Sequence, residues 1–178
     1  MSDKLCQQRS EIDQKFKWDI EAMYPDESLW EKDLEECMQE ASNFSRFKGK
    51  ITESAHTLYD ALEAKDRIFR KLEHAFVYAA MKKDEDNRVT KYQSMDDKCG
   101  SAIAKISASL SFFAPELLEA EPETIQKYIA ENPKLELYRF ALEDALREKE
   151  HVLSTAEENI LAQLSEVTGA SGDIFKML

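Results

Sequence analysis

Residues 54–81 read SAHTLYDALEAKDRIFRKLEHAFVYAAM. Leu58, Leu62, Phe69, Leu72, Phe76 and Ala79 recur there at the steps of one face of an α-helix, and Lys65 bridges the single polar step with its aliphatic stem. Ser54 stands where a side-chain oxygen can cap the first free amides, so a long helix is predicted from this cap to about Met81. No period-two alternation is sustained here or elsewhere in the chain, and the fold class that follows is all-α.

Working toward the carboxyl end, residues 82–87 carry no apolar side chain and predict a charged link. The run from Lys82 to Arg88 reads as a solvated tip that could also touch a partner domain. Val89, Tyr92, Met95, Cys99, Ala102, Ile106, Leu110 and Phe113 then form another helical stripe. The two stripes predict a long antiparallel hairpin with arms of about 26 residues, each roughly 40 Å long. Gly100, inside the second arm, is expected to mark a kink or a close neighbour. Pro115 and Pro122 each suit the first position of a short helix, the second of which closes at Asn132-Pro133. A further helix is expected over Leu135–Glu148, with Leu137, Tyr138, Ala141, Leu142 and Ala145 on one side. Ser154-Thr155-Ala156-Glu157 has the capping-box pattern for a last helix bearing Ile160, Leu161, Leu164 and Val167 and ending at Gly169.

Toward the amino end, Phe47-Lys48-Gly49-Lys50 predicts a turn. Before it, Ser28 is expected to cap a helix with Trp30, Leu34, Cys37, Met38, Ala41 and Phe44 inward. Phe16 to Ile20 reads as an ordered arm that turns at Tyr24-Pro25-Asp26, and residues 1–10 as a mobile tail. No linker or repeat divides residues 11–178, which predict one irregular multi-helix domain.

Composition narrows the function classes. The excess of 36 acidic over 24 basic residues, net −12, repels nucleic-acid phosphates and anionic membrane surfaces, so neither partner is expected. No apolar run has signal-peptide or spanning length, which predicts a cytoplasmic protein. Cys6, Cys37 and Cys99 lack any metal-binding or disulfide spacing, and Cys37 and Cys99 fall on apolar faces as core residues.

His56, His74 and His151 are the natural starting points for metal or acid–base chemistry, and none lies in a His-Glu-x-x-His helix. Glu53-x-x-His56 and Glu148-x-x-His151 have the spacing by which four-helix bundles hold two metal ions, but both fall at predicted helix ends, where solvated side chains are the plainer reading. Trp18, Tyr24 and Trp30 could line a peptide groove; packing is the stronger alternative. No residue is assigned a catalytic, cofactor-binding or metal-ligating role.

Several motifs are familiar in order. Lys17-Trp18-Asp19-Ile20-Glu21-Ala22-Met23-Tyr24-Pro25, Trp30-Glu31-Lys32-Asp33, Phe47-Lys48-Gly49-Lys50, Val77-Tyr78-Ala79, Asp84-Glu85-Asp86 and Phe112-Phe113-Ala114-Pro115-Glu116-Leu117 resemble the amino-terminal helical part of oligoendopeptidase F, a thimet-oligopeptidase-like family. Residues 135–147 and Leu153-Ser154-Thr155-Ala156-Glu157-Glu158 continue the likeness, which covers roughly residues 9–178. The resemblance implies a zinc metalloendopeptidase of short peptides whose zinc helix and further glutamate ligand lie in a later domain absent from this sequence, so no ligand carries over. It also implies that these helices pack over the catalytic domain as their partner and wall a deep substrate channel. The chain alone is then expected to be inactive; the alternative is a free-standing interaction module. The apolar close Ile174-Phe175-Lys176-Met177-Leu178 reads as a cut rather than a finish, with self-association through exposed apolar surface as one consequence.

Overall fold

Helix α1 (Glu27–Asn43) starts on Asp26, not on Ser28. In the computed structural model, which describes residues 11–149, the Asp26 backbone is extended and its carboxylate accepts hydrogen bonds from the amides of Ser28 at 2.8 Å and Leu29 at 3.3 Å. The Ser28 hydroxyl donates to the same carboxylate, and this bond first, then the amides, holds the Asp26 carboxyl below its usual range. A charged acceptor at the positive end of the helix outcompetes a hydroxyl two residues later.

Ser54 does cap α2 (Ala55–Glu85), accepting from the Thr57 amide at 3.1 Å. At 31 residues α2 runs past Met81, because Lys82 is not part of a solvated tip: its side chain is buried and pairs with Glu21 at 2.7 Å. Burial works against the Lys82 ammonium, but the hydrogen bond and charge of Glu21 outweigh it and raise the pKa above the usual 10.5. That contribution to stability is therefore present at neutral pH and lost only as pH rises beyond the lysine range. The pair clips residues 20–22, a 3-10 turn with Ile20 buried, onto the end of α2.

Helix α3 (Thr90–Leu110) has 21 residues, so the two arms are unequal: roughly 46 Å for α2 and 32 Å for α3 at 1.5 Å per residue. Ties between them link Lys83 to Asp96 at 2.5 Å and the Cys99 thiol to the Ala75 carbonyl at 3.7 Å, so numbers fall along α2 as they rise along α3. On the other flank of α2, α1 is tied through Trp30 to the Ala75 carbonyl, Cys37 to the Ile68 carbonyl, and Glu40 to Arg67. Lys98–Glu31 and Lys91–Glu27 close the third side of this three-helix layer.

Packing on two flanks explains why the predicted stripe of α2 is only half right. Leu58, Leu62, Leu72 and Ala79 are buried, but Phe69 and Phe76 remain 36% and 38% exposed. Ala61, Ala64, Ile68, Ala75 and Tyr78 fill the core in their place. Small residues on α2 allow two helices to approach it at once, and the buried face turns toward the bisector of their directions.

Gly100 marks no close approach: α3 runs unbroken through it, and a Cβ built there meets nothing within 4 Å. Gly100→Ala is therefore expected to stabilise the protein by about 0.5–1 kcal/mol and to raise its melting temperature by roughly 1–4 °C. An unchanged or lowered melting temperature would show that this position needs glycine after all.

Gly49 does need its freedom, with φ at 75°. Its amide donates to both carboxylate oxygens of Glu116 at 2.8 Å, joining the turn after α1 to α4 (Phe113–Leu118). Pro115 is the third residue of α4 rather than its first, still within the turn where its missing amide costs nothing. Phe44, Phe47, Phe112 and Phe113 cluster at this corner, with ring centroids 5.2, 5.6 and 6.2 Å from that of Phe44. Pro122 opens α5 (Pro122–Glu131), which buries Ile125 and Ile129. The Tyr128 hydroxyl then donates to the Thr52 carbonyl at 2.9 Å, securing α5 to the start of α2.

The chain divides into two compact units after Glu136, each described by itself. The described part of the second holds α6 (Arg139–Glu148), in which Leu142 is buried and Arg139 pairs with Glu143 at 3.3 Å. The single helix expected over Leu135–Glu148 is thus a 3-10 turn, Pro133–Tyr138, followed by α6, and Leu137 is exposed rather than inward. Among the described residues there is no strand. The expected tail over residues 1–10, the capping box at Ser154, the helix beyond it and the apolar close lie outside the described residues.

Candidate functional site

On α2, Arg67, Arg70, Lys71 and His74 follow the i, i+3, i+4, i+7 spacing that gathers side chains on one flank. That flank faces the acidic edge of α1. Arg67 meets Glu40 at 2.8 Å, and Lys71 meets Glu36 at 2.6 Å with Asp33 and Glu40 farther off at 3.8 and 3.9 Å. The Glu36 hydrogen bond, working against partial desolvation, raises the Lys71 pKa, and the same bond lowers that of Glu36. These pairs are solvated, so they align the helices more than they stabilise them.

Between this flank, α1 and the arm lies an open cavity of about 600 Å³, walled by Met23 and Val77 as well as by the charged groups. Tyr24 is buried behind two of the lining residues, Asp33 and His74. Its hydroxyl donates to Asp33 at 2.9 Å, and its ring sits 4.7 Å from that of His74 and 5.0 Å from that of Tyr78. Burial, then the Asp33 hydrogen bond and charge, push the Tyr24 phenol far above its ordinary value, so it is a fixed donor at any physiological pH. The spacing of Arg67, Arg70, Lys71 and His74 was visible in the sequence; that Met23 of the arm folds back beside them was not.

The residues weighed from the sequence scatter. His56 is exposed near the start of α2 and lies 3.4 Å from Asp60, while His74 belongs to the cavity. His151 lies outside the described residues, so the second Glu-x-x-His pair is not placed. Among the described residues no three His, Cys, Asp or Glu side chains come together as a metal-ligand group. Trp18, Tyr24 and Trp30 do not share a groove: Tyr24 and Trp30 are buried, and Trp18 is 78% exposed beside Ile20, Met81, Asp84 and Glu85.

Cys37 and Cys99 are fully buried. Burial first, then neighbouring carboxylates, pushes the thiols up to about 12 and about 11 respectively. A raised thiol pKa means almost no thiolate near neutrality, and only the thiolate attacks disulfides. In a Cys6→Ser variant, neither cysteine is therefore expected to react with a chromogenic disulfide reagent at pH 8 until denaturant is added, when both should; absorbance titration reads the difference. Rapid native labelling would contradict the burial. Among the described residues no helix is long and apolar enough to cross a membrane.

The family described as Oligopeptidase F matches residues 116–178. The chain is similar to Oligopeptidase PepF of Bacillus subtilis, 35% identical over 170 residues, which is 96% of this chain and 25% of that protein. Group B oligopeptidase PepB of Streptococcus agalactiae is 36% identical over 174 residues, 98% of this chain and 29% of that one. The crystal structure of oligoendopeptidase-F from Enterococcus faecium superposes with a TM-score of 0.71 at 32% identity, covering 84% of this chain and 30% of that one. The chain thus spans about a quarter to three tenths of the length of the relatives it matches.

Proposed function

Because the chain belongs to the oligoendopeptidase F family and matches its amino-terminal helical domain, we infer that it is the non-catalytic part of a zinc metalloendopeptidase and walls the channel through which short peptides reach a catalytic domain. The observation that carries this reading is similarity along 96–98% of the chain to oligopeptidases more than three times as long. On this reading a later domain of the parent protein holds the zinc ion and activates the water. What this domain contributes is confinement: stiff, mutually braced helices admit a flexible peptide and turn away a folded protein.

Replacing the matched 170 residues of Oligopeptidase PepF with this chain tests the reading. The chimera is expected to cleave a quenched fluorescent oligopeptide and to spare a folded protein of the same cleavable sequence, whereas the chain alone with added zinc cleaves neither. Two results would overturn the inference: hydrolysis by the chain alone, or a PepF lacking the matched segment that keeps both its activity and its size selectivity. The second would leave a free-standing interaction module as the better description.

A further inference from the structure

The cavity beside α2 presents two side-chain donors, Arg70 and His74. Arg67 and Lys71 are engaged with Glu40 and Glu36, and Asp33 is engaged with Tyr24. Among the described residues Arg70 and His74 line the same cavity one helical turn apart, and neither has an ionic or hydrogen-bonding partner there. The His74 ring is steadied against Tyr24, which is itself buried and fixed to Asp33. Met23 and Val77 add apolar surface to the lining, and Glu73 a negative group.

We propose that this cavity is a binding site for a carboxylate of a short peptide, either its free carboxyl end or an acidic side chain, with Arg70 and His74 as the recognising groups. The Arg70 guanidinium offers a planar fork matched to a carboxylate, and the imidazole of His74 offers a further N–H from the adjacent turn. A peptide lying across the cavity would place apolar side chains on Met23 and Val77 and its cationic or amide groups toward Glu73. At about 600 Å³ the space suits a few residues rather than a folded partner. The proposal rests on the reading that the parent protein handles short peptides, and it gives that handling a place on this domain.

The test uses isotope-labelled chain and three N-acetylated tetrapeptides: an alanine peptide with a free carboxyl end, its amide, and an amide carrying one glutamate. The free-acid peptide is expected to shift amide resonances of α2 around Arg70 and His74 with an affinity on the order of millimolar or tighter, and its amide to bind at least about tenfold more weakly. Binding of the glutamate amide identifies a side-chain carboxylate as sufficient; its failure assigns the site to the carboxyl end. Arg70→Ala should cost about tenfold or more and Arg70→Lys less than that, because lysine keeps the charge without the fork; His74→Ala should cost less than Arg70→Ala. Circular dichroism confirms that these surface variants fold. Equal binding of acid and amide, unchanged affinity in Arg70→Ala, or shifts confined to other helices would overturn the proposal. Its failure is separable from that of the channel-wall reading: an active, size-selective chimera with no carboxylate binding sinks only this site, and binding in the chain alone with an inactive chimera sinks only the channel.

Discussion

Trp30→Ala is expected to lower the stability of this domain by about 3–5 kcal/mol, a large part of what a domain of this size possesses. The Trp30 side chain is 2% exposed, and its indole N–H donates to the Ala75 carbonyl at 2.9 Å. Truncation removes the largest fully buried side chain of α1 and leaves a cavity between α1 and α2. It also withdraws one of two side-chain donors, with the Cys99 thiol, that meet on the Ala75 carbonyl. At roughly 2–4 °C per kcal/mol the melting temperature should fall on the order of 10 °C. Trp30→Phe keeps most of the packing and loses the donor, so it should fall between wild type and Trp30→Ala. A loss below about 1 kcal/mol for Trp30→Ala in thermal and urea melts would mean that α1 is not docked on α2 as described.

Ala75→Leu should be the second most damaging change, by the opposite route. Ala75 is completely buried where α1 and α3 both reach α2, so three added carbons have no side to relax toward. Overpacking of this kind costs about 1–3 kcal/mol, and the double flank argues for the upper end. Ala104→Leu adds the same carbons on an exposed face of α3 and should stay within about 0.5 kcal/mol of wild type. If the two substitutions had equal effects in a denaturant titration, close packing at Ala75 would be refuted.

These two positions show where the sequence was legible. The 3.6-residue repeat exposed each long helix, and caps such as Ser54 and Pro122 fixed their starts, because both are local effects of backbone geometry. Ser28 misled because a serine and an aspartate two residues apart both satisfy the cap pattern, and only the backbone at Asp26 decides between them. Lys82 misled because a lysine in a charged run reads as solvated until Glu21, 61 residues earlier in the chain, folds against it. The cavity was half visible: the spacing of Arg67, Arg70, Lys71 and His74 is written in α2, but the pairing that engages two of them and leaves two facing space depends on α1.

The all-helical class, the approximate extent of α1 to α3, the buried thiols and the family resemblance came from the sequence by itself, since each follows from local periodicity or from motifs in order. Tertiary structure alone decided which side of α2 is buried, how the arm is held, and which charged groups stay open. The physical reason is that a helix fixes the angular positions of its side chains but not the directions from which neighbours arrive; with α1 and α3 on separate flanks, the buried face is set between them.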